Sequence, residues 1–327
     1  MWTLTIEELA WPLKEPFVIA RDRQTQVRSV LVTITDAHGA RGRGEASGVR
    51  YHGETPATMT AAIEAVRPAI EAGVSREALL TLMPAGGARC AVDAALWDLE
   101  AKASGTPAWR AAGLATFAPV TTVYTIGIRD LDGYERAAAE HAGYAWLKVK
   151  VAGDDPLAAI DAVRRGAPHA RLLIDANMAW DAERLKAFAP ALAERGVALL
   201  EQPIAAGAEA TLDGYRCPVP IVGDESVQDE RDLDRVAGRF DVVNIKLDKT
   251  GGLTAALALA DAVEARGMGL MVGCMVGSSL AMAPATILAQ RCAHVDLDGP
   301  LLQASDWPDG LRFDAGVITP PESAFWG

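Results

Sequence analysis

Five charged residues recur at near-equal steps through the middle of the chain: Lys150, Asp175, Glu201, Asp224 and Lys246, with gaps of 25, 26, 23 and 22 residues. Each lies at the end of a short apolar run: AWLKVKV, RLLIDAN, VALLEQP, VPIVGDES and DVVNIKL. Taken singly, Asp175 and Asp224 read as helix caps, and Glu201 as a loop hydrogen-bond acceptor. Converging on one place, three carboxylates repel strongly unless they share a cation. An all-oxygen donor set suits Mg²⁺, which prefers octahedral coordination and leaves positions for water or substrate. His38, His52, His141, His169 and His294 show no HExxH or paired spacing, which argues against zinc. The lysines have a matching role. Residues two apart in a strand share a face, so Lys148 and Lys150 present adjacent ammonium groups that need a partner. A nearby cation and a second lysine lower a lysine's pKa and make a neutral base accessible. A metal that binds a substrate carboxylate would stabilise the enediolate formed by loss of the α-proton. One lysine removing that proton and another returning one from the opposite face is epimerisation. Ordinary ion pairs between the lysines and the acids are the structural alternative.

These charges demand a scaffold that brings strand ends together. After residue 116, apolar runs alternate with helical stretches: TTVYTIGI, the five runs above, LMVGCM and HVDLDGP. Buried strands alternating with helices predict a parallel sheet. Eight such units close into a (β/α) barrel whose active site lies at the C-terminal strand ends, where every charge of the series falls. Before residue 116 the texture differs. LTIEELAW, RSVLVTITDAHG and RGRGEASGV read as strands joined by turns, followed by alanine-rich helices around 56–72 and 86–104. This first third reads as a separate α+β unit. GRGEASG lacks the spacing and context of a phosphate-cradling loop and reads as a strand with close backbone packing.

A chain of 327 residues, half of them apolar, can bury a large core. Its net charge of −12 argues against a nucleic-acid surface. The uncharged run from Gly267 to Gln290 imitates a membrane span, but GCMVGSS and Pro284 break it, and it reads as core. The first residues lack the zones of a signal peptide. Cys90, Cys217, Cys274 and Cys292 have no CxxC spacing, so free thiols in a reducing cytoplasm are expected. No membrane or nucleic-acid partner is expected. The number of copies that assemble is left open, a homo-oligomer included.

In this order K-x-K, D-x-N, E-Q-P, D-E-S and K-x-D-K-x-G-G resemble the muconate-lactonising (mandelate racemase/muconate lactonizing enzyme) branch of the enolase superfamily. ARCAVDAALWDLEAKASGTP (88–107) resembles that branch's signature at the end of its N-terminal cap. The resemblance implies an α+β capping domain (1–115), a (β/α)7β TIM-type barrel (116–305) and a C-terminal segment returning to the cap (306–327). It implies Asp175, Glu201 and Asp224 as Mg²⁺ ligands, and Lys150 and Lys246 as acid/base catalysts. Lys148 matches the companion lysine that supports the substrate carboxylate.

Within the branch, HVDLDGP narrows the chemistry. Asp296 and Asp298 share one face of the last strand, and two further carboxylates suggest a cationic ligand group. A turn role for Asp298 before Gly299 and Pro300 is the bland reading. The D-x-D is similar to that of dipeptide epimerases, where it holds the substrate amine. YTIGI with Thr125, KLDKTGGLT, and CMVGSS with Cys274 and Met275 are similar too. In epimerases of L-Ala-D/L-Glu, a cap-loop arginine is expected to meet the glutamate side chain. Here IARDRQTQ offers Arg21 and Arg23, while Gln24 stands at the expected place. RYHGET would form a second cap loop with Tyr51 and His52 towards the pocket. A dipeptide epimerase acting on L-Ala-D/L-Glu, in cell-wall peptide metabolism, is the leading expectation. An o-succinylbenzoate synthase, a muconate-type cycloisomerase and a metal-stabilised binding protein for amino compounds stay open.

Overall fold

The computed structural model describes residues 1–19, 22–151 and 155–327. Three strands, β1 (Thr3–Ile19), β2 (Asp22–Thr35) and β3 (Arg41–Ala46), pair antiparallel in sequence order. The cap helix Gly87–Ser104 packs on this sheet through an almost wholly buried face. Its approach to β3 depends on two glycines. A Cβ on Gly42 would fall 2.1 Å from the Ala95 carbonyl, and one on Gly44 equally close to that of Ala91. The glycines of GRGEASG therefore admit a helix, as the close-packing reading expects.

Beyond β4 (Val120–Thr121) come eight parallel strands in consecutive order. They are β5 (Tyr124–Ile126), β6 (Trp146–Lys150), β7 (Arg171–Asp175), β8 (Val197–Glu201), β9 (Ile221–Gly223), β10 (Val242–Lys246), β11 (Gly269–Gly273) and β12 (His294–Val295). The two edges meet where the Val123 amide donates to the Val295 carbonyl at 3.0 Å. Thr122 Oγ1, accepting from the Leu297 amide at 2.9 Å, continues the seam. The result is a TIM-type barrel with a separate antiparallel cap. Helices start where aspartates follow the strands: Asp130, Asp155 and Asp181 each accept from the backbone N–H three residues on, which satisfies an otherwise unpaired donor. The expected one-helix-per-strand repeat thins out in one sector. After β8 only a 3₁₀ turn forms (Glu209–Leu212), and after β9 a 3₁₀ turn (Glu230–Asp232) that runs into one helical turn (Leu233–Val236). The glycines and prolines of GAEATLDGYRCPVP explain the first loss.

The uncharged stretch 267–290 resolves into β11 and two short helices, Ser279–Met282 and Ala285–Ala289. Among the described residues no helix is long and apolar enough to cross a membrane. Low in the barrel, Leu173, Leu199, Val222, Val242 and Met271 form a buried apolar layer against Trp146. Two last strands, β13 (Arg312–Asp314) and β14 (Val317–Thr319), add to β4. The chain then returns to the cap helix, where Trp326 Nε1 donates to the Ala94 carbonyl and the Gly327 amide to Asp98. The cap helix is also fastened to the barrel. Arg89 donates to the carbonyls of Thr250 and Gly251, and Asp93 accepts from the amide and hydroxyl of Thr254.

Candidate active site

The parallel register aligns the charges. Lys150 lies opposite Asp175, and Asp175 opposite Glu201. Asp224 directly follows β9, and Lys246 ends β10. Four strand positions separate β6 from β10 in the eight-stranded order, so their lysines face each other across the barrel. Lys148, Lys150, Lys246 and the three acids are all buried.

The oxygens of the three acids divide in a consistent way. On the outer side, Asp175 Oδ1 accepts from the Asn177 amide at 2.9 Å, Glu201 Oε1 from Asn244 Nδ2 at 2.9 Å, and Asp224 Oδ1 from Lys249 Nζ at 2.7 Å. The second oxygen of each points to a lysine. Asp175 Oδ2 is 2.5 Å from Lys150 and 3.1 Å from Lys148. Glu201 Oε2 is 2.7 Å from Lys148, yet no donor is aligned on it. Asp224 Oδ2 is 2.7 Å from Lys246. As they stand, no acid, histidine or cysteine side chains among the described residues group at metal-binding spacing, because ammonium groups lie between the carboxylates. The donors nevertheless fit a hard cation. Three anchored carboxylates turn oxygens inward, and one of these oxygens is buried without an aligned donor.

Burial would lower Lys148, but Asp296, Glu201 and Asp175 outweigh it and hold the ammonium well above its ordinary pKa. Lys246 behaves alike: burial opposes its charge, and Asp224 restores it. At Lys246 the pull of Asp224 exceeds the repulsion from Lys148. Glu201 is pushed up to about 7 by burial, with Asp175 adding to the shift.

Asp296 and Asp298 are both buried, but they have protein partners. Asp296 accepts from Lys148 Nζ at 2.7 Å. Asp298 accepts from the Thr125 amide at 2.5 Å, across the barrel seam. Burial and the neighbouring Asp296 raise Asp298 to about 7. Burial also drives the Cys274 thiol well up, with Asp296 and Asp298 contributing. Cys274 and Met275 line a cavity of about 630 Å³ together with Lys150, Lys246 and Asp224.

The cap supplies the rest of the wall. Gln24, Arg28, Arg50 and Tyr51 line the cavity. Arg23 does not: it is exposed, because strand alternation turns Gln24 inward and Arg23 out. His52 stacks edge-on against Tyr51 at 4.6 Å but is not part of the lining. Arg21 lies outside the described residues. Arg50 pairs with Asp22 at 3.4 Å, and Arg28 pairs with Glu8. Sequence reasoning passed over Asn244, Lys249 and Gln202, whose amide group ties the amides of Asp224 and Ser226 together. Asn244 was within reach of the period-2 rule, since it shares the inward face with Lys246.

Residues 1–113 match the mandelate racemase/muconate lactonizing enzyme N-terminal domain, and residues 133–324 the enolase C-terminal domain-like family. The L-Ala-D/L-Glu epimerase of Escherichia coli K12 is 41% identical over 320 residues, 97% of this chain and 99% of its own. An N-acetyl-D-glutamate racemase from a Pseudoalteromonas species is 41% identical over 251 residues, 76% of this chain and 79% of its own. Among solved structures, an Agrobacterium tumefaciens enolase family member with homology to dipeptide epimerases holds sodium and L-Ala-L-Glu. It superposes with a TM-score of 0.97 at 41% identity, over 100% of both chains. A dipeptide epimerase from Methylococcus capsulatus, complexed with Mg and L-Arg-D-Lys, gives a TM-score of 0.90 at 30% identity over 98% and 97% of the two chains. The chain belongs to the mandelate racemase/muconate lactonizing enzyme family of enolase-like proteins and, in the company of its epimerases, is an isomerase.

Proposed function

We propose that the protein is a Mg²⁺-dependent dipeptide epimerase, inverting the α-carbon of the C-terminal residue, with L-Ala-D/L-Glu as the leading substrate. The observation that carries this reading is the opposition of Lys150 and Lys246 across the barrel mouth, with one oxygen of each of Asp175, Glu201 and Asp224 turned to a lysine. Asp175, Glu201 and Asp224 would hold Mg²⁺, which would supply positive charge to the substrate carboxylate. Lys150 or Lys246, whichever is neutral, takes the α-proton on Nζ while the C–H electron pair stays with the substrate. The opposite lysine, as the ammonium, returns a proton to the other face. Lys148, already shared among Asp175, Glu201 and Asp296, adds fixed positive charge beside the substrate carboxylate. In this reading Asp296 and Asp298, with Thr125, meet the substrate ammonium, and Cys274, Met275 and Tyr51 bound the side chains.

A second reading has its own support. Asp296 and Asp298 already have Lys148 and the Thr125 amide as partners, and one 41%-identical relative is an N-acetyl-D-glutamate racemase. An N-acylated amino acid, carrying no ammonium, would leave those pairings intact. Incubating a dipeptide library and N-acetylglutamate with the protein and Mg²⁺ in D₂O, scored by mass gain, decides between them. Dipeptide exchange supports the first reading, and exchange confined to N-acetylglutamate replaces it.

The assignment of 1–115 as cap, 116–305 as catalytic barrel and 306–327 as returning segment is part of the proposal. So are a role in cell-wall peptide metabolism and a cytoplasmic setting, the latter in keeping with Cys90, Cys217, Cys274 and Cys292 as free thiols.

A further inference from the structure

Lys249 belongs to the KLDKTGGLT stretch, and the proton-transfer scheme gives it no task. It sits in the single helical turn Leu247–Thr250, is 2% exposed and does not line the cavity. An ammonium carries three N–H donors, and Lys249 directs them to three buried acceptors. These are the Asp224 carbonyl at 2.5 Å, Asp224 Oδ1 at 2.7 Å and the Asn244 carbonyl at 3.1 Å.

The anchors of the other two acids are neutral: a backbone amide on Asp175 and an asparagine amide on Glu201. Among these outer-side anchors, that of Asp224 alone is a charged side chain. A buried ammonium next to a cation site opposes cation binding by simple repulsion. Its benefit must therefore be geometric and large enough to exceed that repulsion. By gripping both the main-chain carbonyl and Oδ1, Lys249 fixes the rotation of the Asp224 carboxylate, while Gln202 holds the Asp224 amide. Only Oδ2 is left facing Lys246 and the cavity.

We propose that Lys249 is a positioning residue that sets Asp224 as a one-oxygen cation ligand, acting from behind the site. This rests on the proposed reading of Asp224 as a metal ligand. The test uses Mn²⁺ as the probe, titrated by electron paramagnetic resonance into chelator-treated full-length protein, alongside circular dichroism and thermal melts. Lys249→Met should weaken Mn²⁺ binding by about 10-fold or more, the scale expected when a partner orienting a metal ligand is lost. Lys249→Gln, uncharged but able to donate, should recover part of that loss. Unchanged or tighter binding in both variants overturns the proposal, because a lysine that only balances charge would favour the metal on removal. If Lys249→Met fails to fold, Lys249→Gln decides alone by the same reading. Failure of both to fold assigns Lys249 to the fold and also overturns the proposal. Wild-type protein that binds no Mn²⁺ would instead sink the metal reading of Asp224.

Discussion

The floor and the mouth of the barrel are built by the same strands, a few residues apart, and obey opposite rules. Low on β7, Leu173 joins Leu199, Val222, Val242 and Met271 in an apolar layer. Two residues further along the same face, Asp175 is buried between two lysines. The floor gains from leaving water, whereas each charge at the mouth loses solvation that its partners must restore. One strand can therefore carry stability at one end and chemistry at the other, because alternation keeps both ends on the same face.

Removing the shared cation should give the largest effect. Exhaustive chelation should abolish turnover and added Mg²⁺ restore it, while Asp224→Asn weakens metal binding with the circular dichroism spectrum retained. Full activity in chelated protein would end the metal reading of the mouth.

The lysines come next. Lys150→Ala and Lys246→Ala should each stop epimerisation, on the scale of ~10²–10⁴-fold or more for a lost acid/base group. Each folded variant should still exchange the α-proton of one epimer with D₂O, and the two variants opposite epimers. Exchange of the same epimer in both would show that the lysines do not work from opposed faces. Lys148→Ala should weaken substrate binding without choosing between epimers.

A smaller effect tests the seam end of the mouth. If Asp296 and Asp298 hold an ammonium, N-acetylating the dipeptide should cost roughly 2–5 kcal/mol in kcat/KM, the penalty for a buried charge left unpaired. Equal kcat/KM for free and acetylated substrates would confine the pair to its contacts with Lys148 and Thr125.

The floor should answer in stability instead. Leu173→Ala should cost about 2–5 kcal/mol in denaturant unfolding, with the epimer preference of the exchange reaction unchanged. A selective loss of exchange in folded protein would show that floor and mouth are not separable.

The smallest expected effect lies outside the barrel. Burial raises Asp93 to about 6, from an ordinary value of 3.8, against the pull of its Thr254 contacts. The folded state therefore binds this proton more tightly than the unfolded chain does. Its stabilising contribution is full below pH 4 and is lost as pH rises through about 6. Asp93→Asn should flatten that part of the melting-temperature profile, by an amount equivalent to about 3 kcal/mol at most. An unchanged slope between pH 4 and 7 would show that Asp93 does not set it.

The charged mouth was largely legible because charge at the end of an apolar run is conspicuous and the period-2 rule assigns its face. Lys150, Asp175, Glu201 and Lys246 all close strands where the pattern places them. Lys249 and Asn244 were harder to read. Each is polar inside a segment already explained as strand or turn, and its partner, Asp224 or Glu201, lies 25 or 43 residues away. The cap loops were least legible. Whether Gln24 or Arg23 faces the cavity depends on the pairing of β1 with β2, where the register shifts between Pro12 and Phe17, and a one-residue slip exchanges the faces.

The cap helix, seated on Gly42 and Gly44 on one side and fastened to Thr250, Gly251 and Thr254 on the other, bears on traffic through the chamber. A roof held at both faces leaves little freedom for the whole cap to lift. Ligand must therefore pass at the rim, where the segments carrying Gln24, Arg28, Arg50 and Tyr51 stand between solvent and the lysines. Any rearrangement that admits ligand then falls on the rim, at the start of β2 and the 3₁₀ turn Arg50–His52, rather than on hinge bending of the cap. Substitutions at the rim should alter how long a ligand stays, while the chamber beneath keeps its shape.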